Sequence, residues 1–301
     1  MERPYILHMF TPGRRMSPFD INMAADAGYQ VIVPYTDCDA DSVASLTQDT
    51  IFSRSPKGLL RTGIFIGGRD ALEAADLLKR AKASMFKPFQ VSLMADPSGA
   101  YTTAAAMVAC VEAALRTHHK AELKGQRVVI FGGTGPVGRI AGVIAAQAGA
   151  QVSLSSRSSV SAAQEAARKT GERFGVELEG LSGTDGTAMR EAIGQADVLL
   201  ACAAAGVQVV SADTLSAAKQ LKVAADVNAV PPQGIAGVDA MDNGKALAGG
   251  AVGIGALAIG NVKYQTQQRM LVQMHDAESP VVLSFAEAFA TARAFIAEKA
   301  A

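Results

Sequence analysis

Residues that most often hold metals or act as nucleophiles are scarce in this chain. It has three cysteines and four histidines among 301 residues. Cys38, Cys110 and Cys202 lie far apart with no C-x-x-C spacing, which excludes a disulfide framework and points to reduced thiols in the cytoplasm. Cys202, at the end of a strand-like run, reads as a small core residue. His8, His118, His119 and His275 have no zinc-helix spacing, so no metal site is expected. An excess of either charge is also missing, since 28 Lys and Arg offset 28 Asp and Glu. Neither nucleic acid nor an anionic membrane is therefore expected as a partner held by bulk charge. No secretory signal is read, because Glu2 and Arg3 lead directly into a strand-like segment. The longest weakly polar stretch, Leu247 to Val262, is interrupted by glycines and falls short of a membrane span. It reads as buried loop and helix start.

What is present is the composition of an α/β protein, 49% apolar and 19% charged, enough for one large or two medium domains. Strand-like and helix-like segments alternate. Strands are predicted at 4–10, 30–34, 62–66, 91–94, 128–130, 151–155, 176–179, 197–201 and 223–227. Helices are predicted at 18–27, 41–49, 70–86, 102–118, 138–149, 160–174, 189–196, 214–218 and 284–299. Ser17 is a plausible N-cap, with Pro18 at the first helical position. Such alternation implies parallel sheets with crossover helices.

One loop carries most of the functional signal. Phe131-Gly132-Gly133-Thr134-Gly135-Pro136-Val137-Gly138 follows the apolar run Val128-Val129-Ile130 and precedes a helical pattern of small residues. Gly133, Gly135 and Gly138 have the G-x-G-x-x-G spacing of a dinucleotide-binding turn. The first glycine permits the tight turn, the second lets backbone approach a pyrophosphate, and the third lets helix and strand pack closely. In a NAD site the next strand ends on a carboxylate that binds the ribose 2′-OH. Here it ends Ser155-Ser156-Arg157-Ser158, with no acid. Hydroxyls around a guanidinium suit a 2′-phosphate. NADP is favoured, and NAD is not repelled by anything in the segment. Ala203 and Ala204, after the fourth strand of this half, leave room for a nicotinamide or simply for a helix start.

Three other segments read as site loops. Asp96-Pro97-Ser98-Gly99-Ala100-Tyr101-Thr102-Thr103 joins a strand end to a helix start, where open α/β sheets bind ligands. Its alternative reading is N-capping by Ser98 or Thr102. Asp226 to Ile235 contains Asn228, Pro231 and Pro232. Gly253 to Lys263 contains Gly255 and ends on Lys263, whose plainer reading is a solvated cation.

These segments together carry a resemblance. Phe65-Ile66-Gly67-Gly68-Arg69-Asp70, Asp96 to Ala106, Gly132 to Gly138, Asp226 to Gly237, Gly253 to Lys263 and Met16-Ser17-Pro18-Phe19-Asp20 resemble the methylene-tetrahydromethanopterin dehydrogenases of methylotrophic bacteria, in the branch using NAD or NADP. The resemblance covers essentially the whole chain. It implies two domains: an N-terminal α/β substrate domain with a mainly parallel sheet over 1–118, completed by the C-terminal helix 282–301, and a Rossmann-type NAD(P)-binding domain over 119–281, with the active-site cleft between them. It implies hydride transfer from methylene-tetrahydromethanopterin to NAD(P)+ in the one-carbon metabolism of formaldehyde oxidation. Catalytic roles are expected for Lys263, Asp96 and Asp20, and substrate contacts for Ser98, Gly99, Thr102 and Thr103. Cofactor contacts are expected from Gly133, Thr134, Gly135, Pro136, Val137, Gly138, Ser155, Ser156, Arg157, Ser158, Ala203, Ala204, Asn228 and Gly255. A homo-oligomer in the cytoplasm is expected. No Tyr-x-x-x-Lys is found, so cyclohydrolase activity is not expected. The alternatives are a methylene-tetrahydrofolate dehydrogenase, an NADP oxidoreductase of the shikimate-dehydrogenase type, and an NADP-sensing regulatory protein.

Overall fold

The computed structural model describes residues 3–183 and 186–300. Glu2, read above as leading into the first strand, lies outside them. In chain order the elements are β1 (Ile6–Phe10), α1 (Pro18–Asp26), β2 (Val31–Tyr35), α2 (Ala40–Phe52), α3 (Pro56–Leu59), β3 (Thr62–Ile66), α4 (Ala71–Ala83), β4 (Ser92–Ala95), α5 (Ala100–His119), β5 (Arg127–Phe131), α6 (Pro136–Gln147), β6 (Gln151–Ser156), α7 (Val160–Phe174), β7 (Glu179–Ser182), α8 (Gly186–Gly194), β8 (Val198–Ala201), α9 (Ala212–Leu215), β9 (Val223–Asp226), β10 (Asn243–Ala246), β11 (Val252–Ile254), α10 (Ala256–His275), β12 (Val282–Leu283) and α11 (Phe285–Ala300). The chain divides into two compact units. One comprises 1–102 and 264–291, and the other 103–263 and 292–301.

The first unit holds a five-stranded sheet in the order β12-β4-β3-β1-β2, parallel throughout. β3 and β4 are buried along their whole length, as strands covered on both faces by crossover helices must be. β2 forms the edge and carries Pro34, which costs least where one side of the strand lacks a partner. Strand order reverses between β1 and β3, so the chain leaves the carboxyl ends of these two paired strands in opposite directions. That is the switch point where an open α/β sheet leaves a crevice.

The second unit holds a seven-stranded sheet, β10-β11-β9-β8-β5-β6-β7. It is parallel except for β10, which runs antiparallel to β11. From β7 to β11 this is the doubly wound dinucleotide-binding order, with its switch point between β5 and β8. One face is filled by Val129, Phe131, Leu199 and Ala201 from the sheet, packed with Met189 and Ile193 of α8.

Several expected boundaries shift for identifiable reasons. α6 begins at Pro136, two residues before the predicted start, because proline is preorganised for the first helical position and has no N–H to leave unpaired there. The strand expected at 176–179 is found at Glu179–Ser182. Gly175 ends α7 in the left-handed conformation, φ 69°, and the next three residues complete the reversal. The stretch 247–262, expected as loop and helix start, also contains the buried strand β11. Three residues between glycines are too few to show a period.

Candidate functional site

The glycine loop occupies the β5–β8 switch point of the second unit. Gly132 has φ 68°, and a Cβ there would lie 2.7 Å from the backbone of Cys202 and Ala203. At Gly133 a Cβ would lie 2.8 Å from Leu154 Cα, and at Gly138 it would lie 2.6 Å from the Gly132 carbonyl oxygen. These three positions are bare because protein backbone fills the space. Gly135 differs. A Cβ there would meet only the Gly132 oxygen, at 3.3 Å, and Gly135 caps α6 with ordinary φ and ψ of −76° and 166°. Its missing side chain is explained by the open side of the loop.

That open side is a cavity of about 440 Å3 lined by Gly132, Thr134, Gly135, Ser155, Ser156, Arg157, Ser158, Gly183, Cys202, Ala203, Ala204 and others. The amino end of α6 supplies N–H groups and partial positive charge to an anion there. Ser156 Oγ lies 2.8 Å from Ser158 Oγ and accepts the Ser158 N–H, which shapes the turn carrying the exposed Arg157. Among the described residues, none of those lining the cavity carries a carboxylate. The geometry fits a dinucleotide with or without a 2′-phosphate. Cys202 was read as core. It is half-buried on the cavity wall, and burial pushes its thiol up to about 12, which favours the neutral form. A larger groove in this unit takes in Arg127 and Gln151, which open β5 and β6. Ligands of parallel sheets bind at the opposite, carboxyl ends.

The remaining cofactor candidates have architectural partners. Pro136, Val137 and Gly138 form the first turn of α6. Asn228 accepts the N–H groups of Gly206 and Val230 at 3.0 and 2.9 Å and donates to the Pro232 carbonyl at 2.8 Å. It thereby ties the turn after Ala204 to the 226–235 loop. Asp226, buried beneath that loop, accepts from Asn228 N and Ile235 N, and burial holds its carboxyl above the usual carboxylate range. Gly255 is bare because a Cβ would lie 2.6 Å from the Ala240 backbone.

In the first unit, the crevice between β1 and β3 opens into a cavity of about 860 Å3. Its walls include Thr11, Arg14, Arg15, Asp20, Arg69 and Ser98. Two predicted site residues, Asp20 and Ser98, are therefore brought to one place. Asp20 is 2% exposed. It sits in the first turn of α1, behind Pro18 at the helix start, while Ser17 makes no side-chain cap. Its Oδ1 accepts from Gln267 Nε2 at 2.7 Å. Gln267 is a residue that sequence reading missed. It lies 247 positions away, and no local pattern signals it.

Asp96, Gly99 and Thr102 are used differently. Asp96 is fully buried. Its Oδ1 accepts the N–H groups of Tyr101 and Thr102 at 2.9 and 3.1 Å, and Oδ2 accepts the Thr102 hydroxyl at 2.6 Å. It is the carboxylate that caps α5, the part the sequence suggested for Ser98 or Thr102. The cap reaches across a short turn, Pro97–Gly99, in which Ser98 takes φ 49° and donates its hydroxyl to the Gly68 carbonyl at 2.7 Å. Thr103 follows on α5 and Lys263 lies on α10, both half-buried. Among the described residues no three His, Cys, Asp or Glu side chains gather as metal ligands.

Comparison with known proteins agrees with this geometry. Residues 18–98 match the family described as the N-terminal part of methylene-tetrahydromethanopterin dehydrogenase. The chain is 50% identical over 285 residues to the NAD(P)-dependent methylenetetrahydromethanopterin dehydrogenase of Methylorubrum extorquens, covering 94% of this chain and 96% of the relative. It is 33% identical over 276 residues to the bifunctional protein MdtA of the same organism, covering 92% and 94%. Among solved structures, quinate dehydrogenase from Corynebacterium glutamicum in complex with NAD shares the fold, with a TM-score of 0.51 and 13% identity over 98% of this chain and 100% of that one. The chain belongs to the methylene-tetrahydromethanopterin dehydrogenase family.

Proposed function

We propose that this protein transfers a hydride from methylene-tetrahydromethanopterin to NAD(P)+, producing the methenyl cation. The observation that carries the reading is the 50% identity, along nearly the whole chain, to a relative that bears this activity in its name. The cavity at the β5–β8 switch point, lined by the glycine loop and Ser155 to Ser158, supports it.

Bound NAD(P)+ supplies an electrophilic nicotinamide carbon that accepts the hydride. The chain binds, orients and keeps water away. Gly135 and the N–H groups of Val137 and Gly138 hold the pyrophosphate at the start of α6. Gly133 keeps that loop tight against β6, and Thr134 lines the same wall. Ser155, Ser156, Arg157 and Ser158 take the 2′-phosphate or, in its absence, the 2′-hydroxyl. Ala203 and Ala204 form a low wall, held in place through Asn228, and Gly255 lets α10 start close to the 239–242 turn.

In the donor, the reacting carbon lies between two nitrogens whose lone pairs expel hydride. No proton moves, so no general base is needed, and the histidine-poor site is chemically sufficient. Positive charge develops on the donor as hydride leaves. Asp20, on the wall of the first unit's cavity, is assigned to stabilise it. Ser98 contacts the same ligand, and Asp96, Gly99 and Thr102 hold Ser98 in position. Thr103 and Lys263 are assigned to orient the substrate. The reading includes a homo-oligomer in the cytoplasm. Three free cysteines suit such a reducing compartment.

The test is the absorbance of NADH or NADPH formed with methylene-tetrahydromethanopterin, with the tetrahydrofolate analogue in parallel. Reduced nucleotide is expected with the methanopterin. None from either pterin, despite tight nucleotide binding, would favour a regulatory protein. In the same assay Arg157→Ala should raise KM for NADP about ten- to hundredfold, the value of one or two charge-assisted hydrogen bonds. KM for NAD should change by less than about threefold. Equal changes for both nucleotides would remove Arg157 from the phosphate site.

A further inference from the structure

We infer that Gln267 is a positioning residue for hydride transfer, acting through Asp20; the inference rests on the function proposed above. Both side chains are buried, with relative exposures of 0% for Gln267 and 2% for Asp20. Gln267 Nε2 donates to Asp20 Oδ1 at 2.7 Å, and Asp20 lines the cavity at the β1–β3 switch point. The pair joins residues 264–275 of α10, the part of that helix in the first unit, to α1.

A buried carboxylate is useful to a reaction that creates positive charge only if its direction is settled before the charge appears. An amide donor provides this in a specific way. Gln267 has no charge, so it orients an oxygen of Asp20 without adding a cation that would oppose the forming methenyl charge. Lys or Arg at this position would orient equally well and would repel the product. Burial matters as well, because water is then not available to take the place of a lost donor. Removing the amide takes this hydrogen bond from Oδ1 and loosens the direction of the carboxylate at the cavity. A displacement on the order of 1 Å at a reacting centre costs about a hundredfold in rate.

The proposal is tested with the full-length enzyme by Gln267→Met, which keeps the side-chain length and removes the donor. The expected fall in kcat is about ten- to hundredfold. KM for NAD(P)+ stays the same, and the primary isotope effect with the dideuterated methylene donor increases because hydride transfer becomes rate-limiting. Asp20→Asn is measured beside it. The double variant should be no slower than Asp20→Asn alone, because Gln267 acts only through Asp20. Wild-type kcat in Gln267→Met, or losses that multiply in the double variant, would overturn the inference. If Gln267→Met does not fold, Gln267→Leu removes the donor without adding a charge and is read by the same criteria. No turnover by the wild-type protein would instead overturn the proposed function, and wild-type kcat in Asp20→Asn would overturn the role of Asp20.

Discussion

Gly135→Val should bind NAD(P) about a hundredfold more weakly or worse, a loss on the order of 3 kcal/mol, while the protein still folds. Gly138→Ala, a smaller change three residues on, should damage folding itself. The difference comes from what each new side chain meets. At Gly135 the nearest protein atom to a Cβ is the Gly132 oxygen at 3.3 Å, the backbone has a negative φ, and the γ-methyls extend into the cavity that residue lines. Valine is a weak N-cap, which costs about 1 kcal/mol, or a few degrees in Tm. At Gly138 the Cβ lies 2.6 Å from the Gly132 oxygen and 2.8 Å from Gly133 Cα. Backbone on both sides cannot rotate away, and overpacking of this kind costs about 3 kcal/mol or more, roughly 6–12 °C in a protein of this size class. Calorimetry and nucleotide titration on the two variants check this. Normal nucleotide binding by Gly135→Val would make the loop purely structural.

Asp96→Ala should be destabilised by about 3–5 kcal/mol in urea, whereas Asp96→Asn should lose only about 1 kcal/mol. Alanine takes the Asp96 oxygens away from three buried donors, the N–H groups of Tyr101 and Thr102 and the Thr102 hydroxyl. It also removes the cap of a 20-residue helix. Asparagine keeps one oxygen for the two N–H groups. Its amide nitrogen then faces the Thr102 oxygen as a donor, and the Thr102 hydroxyl turns to the Gly99 carbonyl, already 3.3 Å away. Equal stability of Asp96→Ala and wild type would mean that another group caps α5. A folded Asp96→Asn with wild-type kcat would confine Asp96 to architecture and leave Asp20 as the carboxylate of the cavity.

The parts of the site legible in the sequence are those written locally. The glycine loop could be read because strand, turn and helix follow one another within about twenty residues, and each glycine has a fixed duty in that geometry. The Ser155–Ser158 segment could be read for the same reason: an expected carboxylate is missing at a known distance. Asp96 was legible as important and not legible as a cap, because a turn with a left-handed Ser98 separates it from Ala100, where α5 begins. Asp20 was noticed within a motif, but its partner Gln267 was not. That hydrogen bond depends on how α10 packs against α1, which no spacing records. β11 and β12 are too short, at three and two residues, to show a period, and β10, Asn243-Gly244-Lys245-Ala246, has no apolar alternation to read.

Isotopic labelling follows the hydride from the pterin to the nicotinamide. Methylene-tetrahydromethanopterin carrying two deuteriums on its reacting carbon is turned over with NADP+ in ordinary water, and the reduced nucleotide is isolated. One deuterium is expected at nicotinamide C4 in every NADPH formed, on a single face, and none in the solvent. Deuterium released to water, or oxidation of the donor without a labelled nucleotide, would contradict it.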